Sequence, residues 1–170
     1  MVFGSLFGNP VRLSLVVDKG SYVPGEDLVY RVEVEVKKDV DLKELKAELV
    51  GVLRGRATCW YEEDERYSRD VDFSLTLFRR EQVLVSNVRL HKGRYVYSGR
   101  FNIPVDAAHS GRRGIVESEW FLRVEAKRTF RSSRSEAKIN VINSGVNGAV
   151  IVRSLRLGNG TVMVRLPGYI

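Results

Sequence analysis

Along most of the chain, apolar and polar residues change places one by one. "YRVEVEVKK" sets Tyr30, Val32, Val34 and Val36 against Arg31, Glu33, Glu35 and Lys37. A period of two sends successive side chains to opposite faces of a strand, and a run with one wet face predicts an antiparallel sheet covered on one side. The same pattern places Leu13, Leu15 and Val17 on one face, then Leu45, Ala47 and Leu49, then Val71, Phe73, Leu75 and Leu77. It returns with Tyr95, Tyr97, Phe101 and Ile103, where Pro104 ends the run. Trp120, Leu122, Val124 and Ala126 then oppose Arg123, Glu125 and Lys127, and "AKINVI" follows. Trp120 and Phe101 are expected in the core. No segment of helical length keeps a clean period of 3.6; "DVDLKELKAEL" comes nearest but runs into β-branched residues and glycine.

The breaks between these runs are turn signals. In "DKGSYVPGED", Pro24 presets φ and Gly25 accepts φ > 0, as a type II corner requires. "CWYEEDERYSRD" predicts a polar hairpin tip, and "AVIVRSLRLGNGTVMVRLPGYI" a hairpin around Gly158-Asn159-Gly160. Eight or nine short strands parted by turns predict an all-β, antiparallel β-sandwich with immunoglobulin-like packing. The glycines of "NSGVNG" divide a body, residues 1–143, from a C-terminal hairpin, residues 144–170. That hairpin either completes the sandwich or pairs with a second copy of the chain.

Composition narrows the class. With 170 residues, 44 % hydrophobic and 29 % charged, the chain can bury a core without metals or disulfides. One cysteine, Cys59, excludes an intrachain disulfide and suits a reducing, cytoplasmic setting, with or without attachment to a membrane. No apolar run has the length of a membrane span, and the glycine-broken "MVFGSLFGNP" is not read as a signal peptide. A single glutamine, Gln82, in so charged a chain fits a thermophile.

Charge is unevenly spread. Residues 1–85 carry 13 Lys+Arg against 16 Asp+Glu, and residues 86–170 carry 15 against 5, which gives the net +7. The basic half draws attention to Arg123, Lys127, Arg128, Arg131, Arg134 and Lys138, with Phe130 set among them in the loop "TFRSSRS". Guanidinium groups so spaced suit phosphates or carboxylates. The residues therefore form a candidate partner-binding face for a protein or an anionic membrane surface. Nucleic acid is the poorer fit, because one aromatic gives no stacking platform. The competing reading is a solvated edge whose charge discourages strand-to-strand aggregation.

Catalytic chemistry finds no support. His91 and His109 both sit beside turn-like sequence, and no Cys/His spacing suits zinc. Cys59 reads as a small structural thiol. Glu62, Glu63, Asp64 and Glu65 lack the ligand spacing of a calcium loop, and "GRRG" lacks the Gly-Lys-Ser/Thr ending of a phosphate loop. The expectation is no enzyme, no metal and no cofactor.

"LSLVVDKGSYVPGEDLVYRVEVEV" resembles the opening of arrestin-like N-terminal domains, with Tyr22, Pro24, Gly25 and Glu26 as the structural motif. "LKELKAELVGVLRG", "LHKGRYVYSGRFNIP" and "SGRRGIVESEWFLRVEAKR" are similar to the segments that follow, in family order, over residues 11–142. The prokaryotic sporulation-control type is the nearer likeness. The resemblance implies an intracellular adaptor or scaffold that binds a protein, in some relatives at a membrane. The sequence departs from arrestins in three respects. One sandwich is predicted where they have two, the proline-rich ligase-docking motifs are missing, and the first strand offers only Arg12 where receptor arrestins sense phosphate with paired lysines.

Overall fold

The computed structural model of the chain describes residues 8–60, 68–142, 151–157 and 160–166. The described strands are β1 (Val11–Val17), β2 (Ser21–Tyr22), β3 (Asp27–Val36), β4 (Val40–Trp60), β5 (Ser68–Leu90) and β6 (Gly93–Asn102). They continue with β7 (Gly111–Arg113), β8 (Val116–Lys127), β9 (Ser132–Val141), β10 (Ile151–Leu157) and β11 (Gly160–Leu166). A small sheet runs β1-β3-β6 and a large one β2-β9-β8-β4-β5, with β7 on β8. All pairings are antiparallel except β2 with β9. The fold is thus the all-β sandwich that the alternation predicts.

Period two decides what is buried. Along β3 every second residue, from Leu28 to Val36, is buried, and the intervening ones face water except the half-buried Glu35. Opposite lie Leu45, Ala47 and Leu49 of β4, Leu122 and Val124 of β8, and Ile139 and Val141 of β9. Trp120 and Phe101 are both in this core, 1 % and 3 % exposed. Burying a side chain of this kind is worth about 1.5–3 kcal/mol, so the two facing rows supply most of the cohesion.

β4 and β5 depart from the expected short strands. They span 21 and 23 residues and pair along their whole length. Residues 79–90, which carry no legible strand pattern, continue β5. The reason is two bulges. Leu45 pairs Val85 while Lys46 pairs Val83, leaving Leu84 extra; Gly51 pairs Phe78 while Val52 pairs Thr76, leaving Leu77 extra. Each inserted residue reverses the phase of the alternation, so the sequence stops reading as one strand. Beyond the second bulge the hairpin has its own small core of Leu53, Ala57, Phe73 and Val116.

β10 and β11 form a separate two-stranded sheet, paired from Ile151↔Leu166 to Leu157↔Gly160, and β11 lies against β4. The apex Gly158-Asn159, the acidic residues Glu62–Glu65 and the apolar N-terminal residues Phe3, Leu6 and Phe7 lie outside the described residues, as does the side chain of Cys59.

Two aromatic contacts organise the core, the first within the large sheet and the second between the sheets. The Trp120 ring lies over Gly51, and its indole N–H donates to the Ala108 carbonyl at 2.8 Å. Tyr30 of β3 stacks on Phe101 at 5.5 Å between ring centroids, and its hydroxyl donates to Gln82 Oε1 of β5 at 2.9 Å. Burial pushes the Tyr30 phenol up to about 12, so it stays a donor at any physiological pH. A Cβ at position 51 would stand 2.8 Å from the indole, whereas one at Gly20 would meet nothing within 4 Å. Gly51→Ala is therefore expected to destabilise the protein by about 1–3 kcal/mol, from overpacking. Gly20→Ala should stay within about 0.5 kcal/mol of the parent, and urea unfolding followed by tryptophan fluorescence checks both.

Candidate functional site

The Pro-Gly corner comes first, because it fixes where the other turns lie. Pro24 and Gly25 form the turn, with Gly25 at φ 86°, a left-handed conformation that glycine adopts without strain. Glu26 Oε2 accepts from the Val23 N–H at 2.9 Å, and Glu26 Oε1 takes the Lys19 ammonium at 2.9 Å. Tyr22, 1 % exposed, donates its hydroxyl to Asp18 Oδ1 at 2.6 Å and accepts from the Lys19 N–H. Asp18 also receives the Val29 N–H, and the corner backbone is tied to Ile103 by two hydrogen bonds of 2.8 Å. Tyr22, Pro24, Gly25 and Glu26 are thus brought together as one fastening, whose polar groups bond to Asp18, Lys19, Val23 and Ile103.

The basic segment is not one surface. On the outer face of the large sheet, Arg123 of β8 pairs with Glu136 of β9 at 2.5 Å, and Arg134 of β9 with Glu125 of β8 at 2.8 Å. Lys138 reaches Glu119 at 2.9 Å and Lys127 reaches Glu44 at 3.8 Å. Lys46 holds Glu81, and Arg79 holds Glu48 and Glu81. Four of the six candidate cations therefore belong to a lattice of alternating charges. Arg134 lies on β9 and not in a loop, because β9 begins at Ser132. Counting basic residues along 123–138 hides this, since the glutamates come from four strands.

Arg128, Phe130 and Arg131 lie elsewhere, on the four-residue turn between β8 and β9. That turn is closed by the Arg128 N–H donating to the Arg131 carbonyl at 2.9 Å. Arg128 Nη2 donates to Asn9 Oδ1 at 2.8 Å, and Asn9 Nδ2 to Ser133 Oγ at 2.8 Å, so the base of the turn is held. Burial and the charge of Arg131 together push the Arg128 guanidinium below its ordinary range. Phe130 is 94 % exposed at the tip.

Antiparallel pairing brings two other turns to the same end. Val36 faces both Val11 and Gly93, Val40 faces Leu90, and Lys127 faces Ser132. Lys37 and Lys38 of the β3–β4 turn and Lys92 of the β5–β6 turn thereby join Arg128 and Arg131. A shallow depression here is lined by Pro10, Lys38, Val40, Asp41, Arg128 and Phe130. The two acids nearby are already engaged: Asp39 with His91 Nδ1 at 2.9 Å and the Lys92 N–H at 3.0 Å, Asp41 with Arg89 at 3.8 Å. Among the described residues, Lys37, Lys38, Lys92, Arg128 and Arg131 form no ion pair. The sequence held a signal for this grouping, since "VKKD" and "LHKGR" fall in turns that antiparallel topology stacks at one end.

No three histidine, cysteine, aspartate or glutamate side chains are placed to hold a metal among the described residues. No described helix is long and apolar enough to cross a membrane.

Two facing sheets, a locked Pro-Gly corner and a long bulged hairpin define a domain of the arrestin class. The family model of the arrestin (or S-antigen) C-terminal domain matches residues 8–144, and the chain belongs to that family. The likeness seen in the sequence motifs is to the N-terminal domain; the matching model is that of the C-terminal one. Comparison with curated proteins finds no match. Among solved structures, the sporulation control protein Spo0M of Bacillus subtilis superimposes with a TM-score of 0.60 at 13 % identity, over 81 % of this chain and 51 % of that one. The likeness is one of fold, and the chain spans about half the length of Spo0M.

The corner carries a pH signature. Burial opposes ionisation of Asp18, but the hydrogen bonds from Tyr22 and Val29 outweigh it and hold its carboxyl below the usual 3.8. The Val23 N–H, then Lys19, hold Glu26 below 4.5. Groups depressed on folding stabilise above their unfolded values, and the contribution is lost as pH falls through the folded ones. The urea midpoint is therefore expected to fall as pH drops from about 5 towards 2. Asp18→Asn should flatten that slope, and Tyr22→Phe should lower stability at neutral pH by about 1–2 kcal/mol.

Proposed function

We propose that the chain is a non-catalytic, cytoplasmic adaptor of the arrestin type that binds a protein partner along the open edge of β6. Family membership and the sandwich support the adaptor class. The observation that carries the edge is its regularity. β6 pairs with β3 in unbroken register from Asp27↔Asn102 to Val36↔Gly93, and no described strand pairs with its other side. Ten residues without proline or bulge offer a row of backbone donors and acceptors to an extended segment. Arg94, Val96, Ser98 and Arg100 point outward along it, with Val96 59 % exposed, and supply side-chain specificity. The paired outer face of the large sheet supports the same choice, because its cations are engaged by glutamates.

The test begins with capture from native lysate by the tagged chain, at low and high salt, after nuclease and detergent. The captured protein is then purified and titrated back. One partner should bind directly at high salt, weaken at least about tenfold with Val96→Lys, and be indifferent to Arg134→Ser. A chain that holds no protein at high salt would sink the adaptor reading. A partner unaffected by Val96→Lys would sink its assignment to this edge.

A further inference from the structure

We infer that the end of the sandwich formed by the β3–β4, β5–β6 and β8–β9 turns docks on an anionic lipid surface, with Phe130 entering the headgroup layer. The site is separate from the β6 edge and does not rest on it. Phe130 is the most exposed of the large apolar side chains described, at 94 %. It stands on a turn closed by its own backbone and braced through Asn9, which holds the position from which the ring projects. Around it lie Lys37, Lys38, Lys92, Arg128 and Arg131, while Asp39 and Asp41 are engaged by neighbours.

The pairing of one ring with several free cations selects the partner. A protein interface needs a cluster of apolar anchors at its centre, and here a single exposed ring stands among charged side chains, with Val40 beside it buried. Single-stranded nucleic acid needs a row of aromatics for stacking, and only one is offered. A bilayer asks for little more than what is present. Cations face the lipid phosphates and carboxylates, each adding to the attraction within a Debye length, while one aromatic reaches the acyl boundary. Neither signal suffices alone, and the turns supply both.

Flotation of the full chain with vesicles of phosphatidylcholine, alone or mixed with phosphatidylserine, tests the inference. Binding is expected with phosphatidylserine only, and it should fall as salt rises. Arg131→Ser, or Lys37→Ser with Lys38→Ser, should weaken it about fivefold for each charge removed. Phe130→Ser should weaken it about tenfold, and so exposed a position leaves folding intact. In the Phe130→Trp protein, emission should shift to the blue on these vesicles. Arg134→Ser with Lys138→Ser removes two charges from the paired face and should change little, as should Val96→Lys. Failure to bind phosphatidylserine vesicles would overturn the inference. So would an equal loss with Arg134→Ser and Lys138→Ser, or an unshifted emission from the Phe130→Trp protein. Tighter binding to DNA, lost with Lys37→Ser and Lys38→Ser, would assign this end to nucleic acid instead.

Discussion

The fastening of the chain at Asp18, Tyr22 and Glu26 is the constraint from which the rest of the sandwich follows. β1 lies in the small sheet, β2 in the large one and β3 in the small one again, so the chain crosses twice within a few residues. A crossing that short leaves backbone groups without sheet partners, and each hydrogen bond that replaces one is worth about 0.5–1.5 kcal/mol. Side chains replace what the sheets cannot supply. Asp18 receives the Tyr22 hydroxyl and the Val29 amide, Glu26 receives the Val23 amide, and Gly25 turns where a Cβ would be strained. With the two sheets joined there, Tyr30 of the small sheet can reach Gln82 of the large one across the interior.

What the sequence makes legible follows from the range of each interaction. β3 alternates strictly because it pairs in unbroken register with both its neighbours, and its buried face could be named residue by residue. The corner was legible because proline and glycine act locally. The second half of β5 was not. Leu77 and Leu84 are ordinary leucines, and only their partners on β4 show them to be insertions. The binding candidates divide in the same way. An exposed Phe130 follows from its place between charged residues in a turn. That Arg123 and Arg134 are engaged does not, because Glu136 and Glu125 become their neighbours only when β8 and β9 pair.

The two treatments of positive charge in this chain have different physical meanings. On the sheet face Arg123, Arg134, Lys138, Lys127, Lys46 and Arg79 each have a carboxylate on a neighbouring strand. This fixes which strands sit side by side more than it adds stability, since exposed pairs are worth about 0–1 kcal/mol. At the turns the cations stand without such partners, and their mutual repulsion is tolerated because the strands beneath hold them together. A face of the first kind is electrically quiet beyond a few ångströms. A tip of the second kind projects a field over roughly a Debye length, about 8–10 Å.

The bulges of β5 bear on how such a protein survives crowding. β5 is the outer strand of the large sheet, and an unbroken outer strand of 23 residues would invite fibre growth between copies. Leu77 and Leu84 cut that length into three stretches, so that no single register runs the whole outer strand. The same two residues that hide the strand from a reader of the sequence also deny another molecule of the protein one continuous register along it.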